Sequence, residues 1–254
     1  PFITSYQKFL KEIDAWAQKL PKSTETVALI GGLAYQLGEE GIPVSIRNVI
    51  YELTPGAPLR PLYTKRLLPN YDIFDEQKYF TPGTTPGVWE WQGKRFALMI
   101  CEDMWASSFH QLDPAMDLAK IGPFAAVINL SASPFEVTKN DTRIARARTL
   151  SQLLKAPFYY VNRVGGEDEI LFDGQSFVVN GETVLAQAPA FAAHTLSLPL
   201  ASATEYAPVG STLCENTWES LFAPRFSADK ALPRRLQTWR DDECALVARA
   251  LQFS

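Results

Sequence analysis

Between positions 95 and 162 the chain alternates apolar runs of strand length with stretches of helical character, and this alternation restricts its fold more than any other feature. Residues 95–100, 124–130 and 158–162 are short, apolar and rich in β-branched or aromatic side chains, which reads as strands. Residues 111–119 and 141–154 between them read as helices. The order strand, helix, strand, helix, strand predicts an α/β layered body. Before it, Tyr6, Phe9, Leu10, Ile13, Trp16, Ala17 and Leu20 recur at helical spacing, and Pro21 closes the helix. Strands follow at 26–33 and 44–53, and 62–67 extends the same sheet. Residues 88–91 and 95–100 flank Gln92, Gly93 and Lys94 as a hairpin, and 171–179 and 183–188 flank Asn180 and Gly181 as another. A last strand is expected over 194–200. Hairpins combined with crossover units imply a mixed sheet.

The 254 residues can bury one large core, and a net charge of −4 without a basic stripe excludes a nucleic-acid groove or an anionic membrane surface as the natural partner. Small soluble substrates fit better. Three widely spaced cysteines, at 101, 214 and 244, argue against a disulfide framework and against a zinc cluster, so no metal is expected and a reducing cytoplasm is the simplest location. Composition changes near 203. Residues 204–239 hold scattered aromatics and prolines without a period, and beyond them Cys244, Val247, Ala248 and Leu251 share a helical face.

Cys101 stands where the apolar run 96–100 ends and the acidic pair Glu102 and Asp103 begins, the position of a nucleophile at a strand end. Adjacent carboxylates oppose formation of a thiolate, so a reactive Cys101 needs a cation or a base facing it. His110 and His194 are the only histidines, and the loop around His110 reads as surface, which disfavours a Cys/His dyad.

Three further segments combine with Cys101. The first runs through Tyr63, Thr64, Lys65, Arg66, Leu67, Leu68, Pro69, Asn70 and Tyr71 to Asp75, Glu76 and Gln77. The second is Ile100, Cys101, Glu102, Asp103, Met104, Trp105, and the third is Asn129, Leu130, Ser131, Ala132, Ser133, Pro134, Phe135 with Lys139 beyond it. With Val161 to Gly166 and Phe172 to Ser176, they closely resemble the nitrilase-type carbon-nitrogen hydrolases, and within these the glutaminase domain of glutamine-dependent NAD synthetases. The resemblance implies an αββα four-layer sandwich over residues 1–205. It also implies that 206–254 is a linker and helix leading toward an ATP-dependent synthetase domain outside this chain.

Hydrolysis of a carboxamide near neutral pH needs a nucleophile, a base and a stabiliser of the developing oxyanion. By resemblance, Cys101 is the nucleophile that forms a thioester with L-glutamine, Lys65 stabilises the tetrahedral intermediate, and Glu76 orients the lysine and the catalytic water. Tyr71, Ser133 and Lys139 are implied as contacts to glutamine, whose carboxylate and ammonium call for such groups. Asn129 and Ser131 are expected to shape a strand end, and Asp173 and Ser176 a turn. The family's general base is a glutamate upstream of the opening helix. Glu12, Glu25, Glu39, Glu40 and Glu52 match other parts of the pattern, so the sequence implies a chain that is nearly inactive by itself. No cofactor is expected in this chain; ATP, Mg and deamido-NAD are expected in the synthetase domain, and a homo-oligomer is expected as the assembly. Two other readings remain open: a free-standing amidase such as an ω-amidase or carbamoylase, and an inactive amidase fold kept as a docking module.

Overall fold

The computed structural model describes residues 2–22, 25–39, 42–107 and 110–198, together with Leu246 and Ala250. The helical face expected at 244–251 lies outside these residues apart from those last two positions, as do Cys214 and Cys244. The chain divides into two compact units, one of residues 1–124 with 128–130 and the other of residues 125–127 with 131–254.

The first unit opens with helix α1 (Phe2–Lys19), whose Ala17 is wholly buried. Tyr6 reaches from it to strand β1 (Ala28–Leu37), its hydroxyl accepting from Leu33 N at 2.7 Å. β1 pairs antiparallel with β2 (Pro43–Leu53) over almost its whole length, and β2 pairs with β3 (Arg60–Thr64), giving a three-stranded sheet in the order β1-β2-β3. Helix α2 (Glu76–Tyr79) is a single turn in the loop that follows. Strands β4 (Val88–Trp91) and β5 (Lys94–Ile100) form the expected hairpin, with Lys94 inside the second strand. Its turn is Gln92 and Gly93, both at positive φ, the geometry that keeps the two strands twisted together. Trp89, Trp91 and Phe96 cluster on this hairpin, with Trp89 and Trp91 stacked at 5.8 Å. β2 and β3 pack against β4 and β5, so the core of this unit lies around Ile50, Tyr63, Phe96, Leu98 and Met99. After β5 come a 3₁₀ turn (Cys101–Trp105) and helix α3 (Pro114–Ile121), capped by Asp113 through the N–H groups of Ala115 and Met116. Strand β6 (Ala126–Ser131) contributes Ile128 to Leu130 here, beside β5.

In the second unit the strand order is β11-β10-β7-β6, with β7 (Phe158–Asn162), β10 (Phe177–Asn180) and β11 (Thr183–Gln187) antiparallel to their neighbours where β10 joins them. Helix α4 (Lys139–Leu154) covers β7 and β10. The expected single strand at 171–179 is two. β9 (Ile170–Asp173) pairs with β8 (Val164–Glu167), and β10 begins only after Gly174 and Gln175 turn the chain at positive φ. A Cβ at Gly174 would lie 2.4 Å from Val164 Cγ2, so the turn is reserved for glycine. The strand expected over 194–200 is absent from residues 194–198, which run without ladder pairing, and the final two positions lie outside the described residues. Among the described residues no helix is long and apolar enough to cross a membrane.

Candidate active site

Lys65 follows the last residue of β3, and its place is fixed by backbone bonds on both sides. Its N–H donates to Asn48 O at 2.9 Å and its carbonyl accepts from Gly83 N at 2.8 Å. The approach of Gly83 is close enough that a Cβ there would lie 2.3 Å from Thr64 O. The ammonium is buried, at 2% exposure, and donates to both carboxylate oxygens of Glu76 at 2.7 Å. Glu76 in turn accepts from Asn48 Nδ2 at 3.3 Å, and its own N–H is tied to Pro69 O at 3.0 Å. A buried lysine needs such a partner, because an isolated ammonium in a low-dielectric interior is costly. The pairing of Lys65 with Glu76 is therefore present as a fixed element of the first unit.

Cys101 stands at the end of β5 with φ +44°, the left-handed region that residues with a Cβ seldom adopt. Its carbonyl accepts from Asn129 Nδ2 at 3.5 Å, so Asn129 does shape this strand end. The link between Cys101 and Lys65 runs through Asp103, which is wholly buried. Asp103 Oδ2 accepts from Ile100 N at 2.9 Å and from the Tyr63 hydroxyl at 2.8 Å, and Oδ1 accepts from Arg66 N at 3.1 Å and Leu67 N at 2.8 Å. One carboxylate thus binds the residue before Cys101 and the residue after Lys65. Sequence reasoning took Asp103 only as a negative charge beside the thiol and missed this clamp. A carboxylate three residues after a strand's last apolar position, facing the exit of a second strand, is the signal that could have found it. Burial holds the Asp103 carboxyl above its usual pKa, although the bonds from Ile100, Leu67 and Tyr63 pull the other way.

Glu102 is also buried, at 5% exposure, and burial raises its carboxyl pKa, the Tyr71 hydroxyl bond at 2.8 Å opposing the shift. Tyr71 is half exposed, and its phenol is pushed up by burial first, then by the bond to Glu102, with the Cys101 and Glu76 charges adding to the effect. Tyr71 therefore sits within electrostatic reach of Cys101, Glu102 and Glu76 together. His110 accepts on Nδ1 from Ser107 N at 3.2 Å, and its Nε2 is 3.9 Å from Glu102 Oε1.

Ser133 and Lys139 belong to the second unit. Ser133 lies in the loop after β6, 4% exposed, with its N–H donating to Asn162 Oδ1 at 2.9 Å. Its hydroxyl and carbonyl both accept from Arg143 Nη2, at 3.0 and 3.1 Å. Lys139 is the first residue of α4 and is partly exposed. Asp173, expected to build a turn, is instead the buried partner of Arg143, and Ser176 accepts from Asn162 N at 2.9 Å. Arg143 itself was not singled out by the sequence.

In this setting the first unit can offer a thiol at a strained strand end, a buried ammonium held by a carboxylate, and a phenol bonded to Glu102. That set suits acyl transfer through a thioester.

No protein-family model matches the chain. It is 36% identical over 171 residues to the glutamine-dependent NAD(+) synthetase of Acinetobacter baylyi, an alignment that takes in 67% of this chain and 30% of that protein. Among solved structures, the glutamine-dependent NAD+ synthetase of Acinetobacter baumannii superimposes with a TM-score of 0.61 at 31% identity, over 74% of this chain and 33% of that one. A carbon-nitrogen hydrolase of Helicobacter pylori matches in fold, with a TM-score of 0.53 at 21% identity over 74% of this chain and 64% of that one. The α/β class and the carbon-nitrogen hydrolase type of fold are those expected. The chain spans about a third of the length of the synthetases it matches.

Proposed function

We propose, from the premise that the chain belongs to the nitrilase-type family of glutaminase domains of glutamine-dependent NAD(+) synthetases, that it hydrolyses L-glutamine to supply ammonia for ATP-dependent amidation of deamido-NAD. Cys101 Sγ attacks the side-chain carboxamide carbon, and the tetrahedral oxyanion that forms is stabilised by the Lys65 ammonium. Collapse breaks the C–N bond and ammonia leaves, its nitrogen receiving the thiol proton through a carboxylate base of the kind the resemblance implies. Water then cleaves the thioester to glutamate and the free thiol. Glu76 keeps Lys65 aimed, while Tyr71, Ser133 and Lys139 contact the amino-acid portion of the substrate. A synthetase domain of the parent protein consumes the ammonia with ATP, Mg and deamido-NAD. A homo-oligomer in the cytoplasm is the expected setting.

The observation that carries this reading is the Asp103 clamp, which ties the strand end bearing Cys101 to the one bearing the Glu76-held Lys65. The test is ammonia release from L-glutamine by the full-length protein and its Cys101→Ala variant, with labelling of Cys101 by a glutamine-shaped diazoketone followed by mass spectrometry. Cys101-dependent ammonia, with labelling that L-glutamine suppresses, is the expected result. A labelling rate indifferent to L-glutamine, together with turnover of another carboxamide, would overturn it.

A further inference from the structure

The loop carrying Ser133 rests on a polar cluster that the scheme above does not use. Arg143 is fully enclosed at 0% exposure, and its Nη1 donates to both carboxylate oxygens of Asp173 at 3.0 and 2.8 Å. Its Nη2 donates to Ser133 Oγ, Ser133 O and Pro134 O at 3.0, 3.1 and 2.9 Å. Asn162 holds the same loop from the other side, accepting from Ser133 N on Oδ1 and donating from Nδ2 to Gly174 O at 3.0 Å. Gln175 Nε2 donates to Asp173 Oδ2 at 2.8 Å, and every one of these residues lies in the second unit.

An enclosed ion pair adds little stability over well-packed apolar residues, so its presence calls for another account. The chemistry of the hydroxyl provides one. A serine hydroxyl has one hydrogen and two lone pairs, and here Arg143 occupies a lone pair from behind. The hydrogen is directed away from the guanidinium, and among the described residues it has no acceptor. A guanidinium N–H donated to the oxygen from behind at 3.0 Å polarises the hydroxyl and strengthens it as a donor.

We propose that Arg143, anchored by Asp173, is a positioning residue that sets Ser133 as a hydrogen-bond donor to the α-carboxylate of the amino-acid substrate. This rests on the glutaminase reading. Arg143 touches no substrate; it decides to which end of the substrate Ser133 donates.

The test compares kcat/KM for L-glutamine with that for its α-carboxamide in the full-length protein, for wild type, Ser133→Ala, Arg143→Lys and the double variant. In the wild type the carboxylate substrate is preferred. Each single substitution lowers that preference about tenfold, the range of one hydrogen bond to a charged group, and the double variant lowers it no further. A merely structural role would lower both rates together and leave their ratio alone. An unchanged ratio in folded Arg143→Lys, or a double variant that multiplies the two losses, overturns the inference. Should Arg143→Lys fail to fold, as judged by its thermal melt, Asp173→Asn takes its place and is expected to shift the ratio in the same direction, an unchanged ratio counting against the inference. Absence of Cys101-dependent ammonia from the wild type would instead overturn the glutaminase reading, and this inference with it.

Discussion

The ion pairs Lys65–Glu76 in the first unit and Arg143–Asp173 in the second both bury their cation, and they are built to different ends. Lys65 in the first unit presents a compact ammonium to Glu76, whose side chain keeps about a fifth of its surface exposed. Arg143 in the second unit is enclosed with Asp173, neither side chain exposed beyond 1%. The lysine is a point charge on a flexible stem, with a hydrogen left to offer once Glu76 has taken two. The arginine has its planar fork spent on Asp173 and the Ser133 loop, with only Nε left without a partner. The partly exposed partner of Lys65 suits the proposed role of a cation that meets developing charge, whereas the Arg143 pair is sealed.

Substitutions break this comparison at different strengths. Cys101→Ala is expected to reduce glutaminase activity to the uncatalysed background while leaving the thermal melt unchanged or raised, measured as ammonia release beside calorimetry. Arg143→Met, which strands Asp173 in the interior, is expected to cost about 3–5 kcal/mol of stability in urea unfolding. A loss below about 1 kcal/mol would show that the enclosed pair is not what holds the second unit's loop. Lys65→Met should lower kcat by about 10²–10³ with a smaller effect on stability, since it removes the proposed oxyanion stabiliser. Equal losses of stability in Lys65→Met and Arg143→Met would erase the distinction between the two cations.

Glu102 gives a smaller, pH-dependent effect. Its folded pKa lies above the ordinary value of 4.5, chiefly because of burial. The sign follows: relative to the unfolded chain, Glu102 contributes stability below that ordinary value, and the contribution is lost as pH rises through the raised folded value. Glu102→Gln is therefore expected to gain stability over wild type as pH rises above this window and to show no gain below it, read from melting temperatures at several pH values. The smallest effect belongs to Asp117, whose carboxyl is lowered first by the Arg66 hydrogen bond and then by Lys120. That contribution is present above the ordinary value of 3.8 and lost as pH falls through the lowered one. Asp117→Asn should flatten the fall of the melting temperature as pH drops below that ordinary value, an effect kept small because the carboxylate is partly exposed and solvent screens the pair.

Legibility in the sequence followed the presence of a repeating side-chain pattern. α1 announced itself through apolar residues at helical spacing, and the β4-β5 hairpin through strand-like runs on either side of a glycine. β8 escaped because Val164, Gly165, Gly166 and Glu167 offer hardly any alternating side chains, and a strand made by backbone pairing alone leaves no periodic trace. The break between β9 and β10 was hidden by the apolar residues on both sides of it. In α4 the buried positions Arg143, Ala147, Leu150 and Leu154 do keep helical spacing, but the stripe begins with a charge, so its first member read as solvent-facing. Tracing the spacing back from Leu154 through Ala147 would have reached Arg143. At the candidate site, the pairing of Lys65 with Glu76 was anticipated through resemblance and has its counterpart in the geometry. The four bonds to Asp103 left a fainter trace, because three of its donors are backbone amides, which every residue but proline carries, and only the spacing of the carboxylate from the end of β5 marks it.

The φ of +44° at Cys101 carries a cost that only the identity of the residue creates. Glycine would occupy that conformation without strain, and relief of about 1 kcal/mol is the usual scale for such an exchange. Selection for heat resistance alone, with no demand for turnover, would therefore drift toward glycine at this position and, on the proposed role of Cys101, silence the chain. The persistence of a thiol in so unfavourable a backbone can then serve as a test applied to any collection of related chains: those that keep the cysteine give up robustness for the ability to react, and those that have relaxed to glycine have given that ability up.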